Sequence, residues 1–122
     1  MVRARDVMRK SVPTVGPSDS LARASEMMDD FSVRELPVVE QGAIVGIVTR
    51  SDLDPHVGHL EWTPVRVAMS GSPRTVVPDA PIGDVVRILL DGNFNGVPVV
   101  AGDALAGMIT RRDLLRLLAD GD

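Results

Sequence analysis

Between residues 21 and 31 the apolar side chains fall at Leu21, Ala24, Met27, Met28 and Phe31, with Arg23, Glu26, Asp29 and Asp30 largely outside that stripe. This is the spacing of one buried helix face. Pro17-Ser18-Asp19 precedes it with a turn and capping oxygens. A second stripe of the same kind runs through Ile82, Val85, Val86, Leu89 and Leu90, with Asp79 as the expected cap and Pro81 in the first turn. A proline is tolerated there because its missing N–H would be unpaired anyway.

After each helix the period changes. Leu36 to Glu40 and Ala43 to Thr49 are β-rich runs around Gln41-Gly42, and Val97 to Ala101 and Ala104 to Thr110 repeat them around Gly102-Asp103. Each pair predicts a tight hairpin. The runs are apolar without strict alternation, which predicts strands covered on both faces. Val12 to Val15 predicts a short opening strand, and Leu114, Leu115, Leu117 and Leu118 a closing helix with Gly121 past its end. The counterpart of that helix, from Asp54 to Pro64, is broken by Pro55 and Gly58. It is expected as a short helix or irregular segment, with Trp62 as a packing anchor between the halves. Each half therefore reads strand, helix, strand, strand, helix, an α+β arrangement.

The halves are copies. Pairing residues 5–54 with residues 66–115 at an offset of 61 needs no gap, and sixteen of the fifty pairs are identical. The identities gather at Thr14-Val15/Thr75-Val76, Pro37-Val38-Val39/Pro98-Val99-Val100, and Gly46 to Asp52/Gly107 to Asp113. A repeat of this length fixes the organisation as repeat one, 1–60, and repeat two, 61–122, each too small to fold alone.

Composition narrows the function. Of 122 residues, 44% are hydrophobic and 25% charged, a globular balance. No apolar run approaches the ~18 residues of a membrane span, and the amino terminus lacks the apolar stretch of a signal peptide. A cytoplasmic protein is expected. With no cysteine there is no disulfide, thiolate metal site or cysteine nucleophile. A net charge of −4 and 2% aromatic residues oppose nucleic-acid binding. Ser11 and Ser72 have no histidine at a motif spacing to activate them, so no catalytic residue is assigned and no enzyme is expected. His56 and His59, near Asp54 and Glu61, form only a loose set in a broken loop, and no metal site is assigned.

The candidate chemistry lies in the repeated Thr-x-x-Asp at Thr49/Asp52 and Thr110/Asp113. A carboxylate accepts from both hydroxyls of a ribose, and a threonine at a helix start joins backbone N–H groups in holding an anion. The same pattern is also a capping box, which needs no ligand. The two roles are compatible. Arg50, Arg111 and Arg112 lie within these turns, either facing phosphates or as surface charges.

With Asp6-Val7-Met8, Pro13-Thr14-Val15, Leu36-Pro37-Val38-Val39 and Gly46 to Leu53 in repeat one, and Ala68-Met69, Thr75 to Pro78, Val97 to Val100 and Gly107 to Leu114 in repeat two, the chain resembles a tandem pair of cystathionine β-synthase (CBS) domains. Such a pair is called a Bateman module; the resemblance covers nearly the whole of this sequence, and a stand-alone pair is expected. The resemblance implies two repeats packed sheet to sheet with pseudo-twofold symmetry, and two clefts for adenosine-containing ligands such as AMP, ADP, ATP or S-adenosylmethionine. Carried over residue by residue, one cleft joins Thr49 and Asp52 to Thr75, Asn95, Gly96 and Val97. The other joins Thr110 and Asp113 to Thr14, Arg34, Glu35 and Leu36. Arg34 against Asn95 implies that the Asp113 cleft prefers a charged nucleotide. The expected function is a regulatory, ligand-sensing module, homodimeric and read by a protein partner not named by the sequence; the alternative is an interaction and dimerisation module with empty clefts.

Overall fold

The computed structural model describes residues 1–92 and 94–121; Asn93 and Asp122, both in repeat two, lie outside the described residues. The chain is mixed α/β with antiparallel strands. It divides into two compact units, Pro13–Pro73 and Met1–Val12 together with Arg74–Asp122. These bounds differ from those of the repeats: the segment that opens each repeat belongs to the unit built on the other repeat.

In the repeat-one unit, helix α2 (Leu21–Asp30) packs on the hairpin β1 (Glu35–Glu40) and β2 (Ala43–Thr49). Its cap is Ser20, whose hydroxyl accepts from Arg23 N at 3.1 Å. Asp19, named as a capping oxygen from the sequence, instead closes the preceding turn by accepting from Gly16 N at 2.7 Å. Phe31 is the exposed C-cap residue, beyond the buried stripe. Gln41 and Gly42 both take positive φ, at 52° and 83°, the backbone of a turn that matches strand twist. A 3₁₀ helix (Arg50–His56), α3 (Val65–Ala68) and β3 (Ser70–Gly71), which pairs with β2, complete the unit. Its core joins Val15, Leu21, Ala24, Met28, Leu36, Val38, Val48, Leu53 and Val65.

The repeat-two unit repeats this plan with α4 (Ile82–Gly92), β4 (Gly96–Ala101), β5 (Ala104–Thr110) and α5 (Arg111–Asp120). Helix α1 (Ala4–Val7) stands where α3 stands in the other unit, with Ala4 N donating to Ala80 O at 2.9 Å as Val65 N donates to Asp19 O at 2.8 Å. Consecutive residues of β1 and β4 are buried, Leu36-Pro37-Val38 and Gly96 to Val99, as expected of strands covered on both faces.

Three expectations are corrected. The strand Val12 to Val15 contracts to one parallel bridge, Val15 to Val38, because Pro13 lacks a donor and Pro17 ends the run. Asp79 does not cap α4: its carboxylate pairs with Arg5 and its carbonyl accepts from Arg3. Trp62 is 79% exposed, so it anchors nothing.

Candidate functional site

The register of each hairpin places the candidate residues. In β1–β2, Glu35 stands opposite Thr49 and Leu36 opposite Val48, while Val15 bonds to Pro37 and Val39. Thr14, Arg34, Glu35, Leu36, Thr49 and Asp52 therefore share the open end of one hairpin, away from the Gln41-Gly42 turn. In β4–β5, Gly96 stands opposite Thr110 and Val97 opposite Ile109, and Val76 bridges to Val99. Thr75, Asn95, Gly96, Val97, Thr110 and Asp113 share the equivalent end. Each unit thus gathers one half of each residue set named from the sequence, and forms a half-site with its own Thr-x-x-Asp.

Both Thr-x-x-Asp stretches are capping boxes. Thr49 is the N-cap of the 3₁₀ helix, its hydroxyl accepting from Asp52 N at 3.3 Å and its N–H donating to Asp52 Oδ2 at 2.8 Å. Thr110 caps α5 in the same way, with Asp113 N to its hydroxyl at 3.3 Å and its own N–H to Asp113 Oδ2 at 2.9 Å. The carboxylates are fixed at helix starts, where otherwise unpaired N–H groups orient them.

Their surroundings differ. Asp113 is 8% exposed and its Oδ1 accepts from Arg9 Nε at 3.0 Å. Asp52 is half-buried, and the position equivalent to Arg9 is Ser70. Arg9 is a residue that motif reading passed over; the signal lay in the offset, which sets a cation against a serine.

Glu35 lies beside this chemistry. Its Oε1 is buried without a hydrogen-bond partner among the described residues, and burial pushes its carboxyl from 4.5 up to about 7. Arg34 and Asn95 are exposed and contribute carbonyls to Arg50 N and Arg111 N, at 2.9 and 3.1 Å. The first interior arginine of each motif is engaged within its own unit. Arg50 pairs with Asp29 at 2.6 Å, and Arg111 donates to the carbonyls of Leu89 and Phe94, both at 2.8 Å, closing the end of α4. In the repeat-two unit an open cavity of about 470 Å³ takes in Thr75 with Asp84, Arg87 and Asp91, but no other residue of the half-site. Among the described residues no group of His, Cys, Asp and Glu is placed to hold a metal.

A chain of two such hairpin repeats has known counterparts. The CBS domain model matches residues 4–56 and 65–120, and the chain belongs to the CBS domain family. Proteins of this kind are generally regulatory modules rather than catalysts. The uncharacterized protein MJ1404 of Methanocaldococcus jannaschii is 31% identical over 93% of this chain, which spans only 31% of that relative's length. The CBS domain pair of protein MJ0100, solved in complex with 5′-methylthioadenosine and S-adenosyl-L-methionine, superposes with a TM-score of 0.88 at 25% identity, covering 100% of this chain and 99% of that one. CBSX2 of Arabidopsis thaliana, solved in complex with AMP, gives 0.85 at 28% identity, with 98% of each chain covered.

Proposed function

We propose that this chain is a ligand-sensing regulatory module that binds adenosine-containing molecules through its two Thr-x-x-Asp half-sites, and that occupancy is read by a partner protein in the cytoplasm. The observation that carries the reading is the placement of Thr49/Asp52 and Thr110/Asp113 at equivalent ends of equivalent hairpins, each carboxylate oriented by a helix start. Relatives of the same fold with AMP, or with S-adenosylmethionine and methylthioadenosine, support the ligand class. In this reading Asp52 and Asp113 accept the ribose hydroxyls. Thr14 and Thr75, with the residues before each Pro-Val-Val, line the base. Titration calorimetry of the wild type and Asp52→Asn with AMP tests it: the variant loses about 1.5 to 3 kcal/mol at one class of site. Isotherms that superpose within error remove Asp52 from the reading.

One observation favours a second reading, an interaction module. Helix α5 leaves Leu115 and Leu118 exposed, and α4 does the same with Leu90. Large apolar side chains grouped on exposed helix faces suit a homodimer contact. Sedimentation of the wild type against Leu118→Glu separates the readings: a dimer that dissociates in the variant supports the contact, and a wild-type monomer at all concentrations removes it.

A further inference from the structure

Asp113 is the one charged side chain that is buried among the described residues, and it is already well supplied with donors. Its Oδ1 accepts from Arg9 Nε at 3.0 Å, and its Oδ2 from the Thr110 N–H at 2.9 Å and the Thr110 hydroxyl at 3.0 Å. Arg9 is held in place by its own backbone, which exchanges hydrogen bonds with Met108 at 2.9 and 3.1 Å. That register places Arg9 alongside Asp113, within reach of its carboxylate. In repeat one, Asp52 accepts only from Thr49 N at 2.8 Å among the described residues, and the Thr49 hydroxyl turns to Ser51 Oγ at 3.1 Å.

A carboxylate offers about four acceptor positions, and a vicinal diol uses two of them. Three are taken at Asp113 and one at Asp52. A diol fits Asp52 as it stands and fits Asp113 only when Arg9 or the Thr110 hydroxyl gives way, and Arg9 holds the outer oxygen.

We propose that Arg9 is the specificity-determining residue of the repeat-two half-site. It occupies the outer oxygen of Asp113, so that a ligand reaching that oxygen replaces both partners of the ion pair, hydroxyls on the carboxylate and an anionic group on the released guanidinium. A neutral nucleoside leaves that guanidinium without its partner, whereas a phosphate takes it up as a charge-assisted fork. The Asp52 half-site makes no such demand. This rests on the ligand-binding reading above and goes beyond it by assigning the discrimination to a residue outside both Thr-x-x-Asp stretches.

The test is calorimetry on the full chain with AMP and adenosine as probes, in an Asp52→Asn background that isolates the repeat-two site. AMP is expected to bind there more tightly than adenosine, and adding Arg9→Met to raise adenosine affinity about threefold to tenfold, the range of a half-exposed charge pair, while AMP gains less. Arg9→Lys, which keeps the charge without the planar fork, falls between, and it decides the matter if Arg9→Met gives no cooperative melt. Adenosine binding that appears only once Arg9 is replaced also supports the proposal. An AMP-to-adenosine ratio unchanged by either substitution overturns it and leaves the ligand-binding reading standing. No binding of either probe by the wild type or any variant overturns both.

Discussion

Asp52 and Asp113 hold one position in two copies of a motif, yet among the described residues only Asp113 carries a guanidinium on its outer oxygen. The Thr-x-x-Asp pairs were legible in the sequence because their partners lie three residues apart and recur. Arg9 was not, since it meets Asp113 across 104 residues of chain through a register that no local pattern encodes. Arg34, on which the sequence placed the difference between the sites, is exposed, and its carbonyl accepts from Arg50 N at 2.9 Å. Glu35 shows a third case, a carboxylate whose strand position was legible and whose burial was not. Its carboxyl rises from 4.5 to about 7, so between those values the folded chain binds more protons than the unfolded chain. Stability attached to this group is complete below the lower value and is lost as pH rises through the upper one. Glu35→Gln is expected to remove that slope and to be the more stable protein near pH 8 by about 1 to 3 kcal/mol, with urea midpoints at about pH 5 and pH 8 as the check. Parallel pH profiles of the two proteins contradict it.

Among the elements, the helices and hairpins were legible because apolar period and turn residues agree. The opening strands were not, because a single bridge at Val15 or Val76 leaves no alternation to read. The repeated glycine of the motif has an element-scale cause. It sits mid-strand, where the segment opening a repeat crosses β2 or β5. A Cβ at Gly46 would lie 2.7 Å from both Met69 Sδ and Ser70 O, and one at Gly107 would lie 2.5 Å from Arg9 O. Backbone atoms bonded into a sheet do not retreat cheaply. Gly107→Ala is therefore expected to cost about 1 to 3 kcal/mol, and to cost the protein more than Gly42→Ala costs in its open turn beyond the backbone strain common to positive φ. Thermal melts of the two variants check this, and equal melting temperatures for Gly107→Ala and the wild type contradict the close crossing.

For the whole molecule, the repeat was visible in sixteen identical pairs, but the composition of the compact units was not. Ala4 and Val65, each fully buried in the core of a unit built on the other repeat, are small apolar residues in short helices with no period to announce them. The exchange means that the segment carrying Arg9 is part of the repeat-two half-site rather than a leader to repeat one. The chain belongs to the CBS domain family, whose pair proteins are generally regulatory, and two solved structures of the same fold hold adenosine compounds, so the central claim is that this chain binds one too. A thermal-shift series with AMP, ADP, ATP, S-adenosylmethionine and 5′-methylthioadenosine tests it most directly. At a hundred times its dissociation constant a ligand adds about 2.7 kcal/mol, so at least one of the five is predicted to raise the melting temperature by several degrees, and an Asp52→Asn, Asp113→Asn double variant to lose that rise. No shift with any of the five at millimolar concentration would contradict the account.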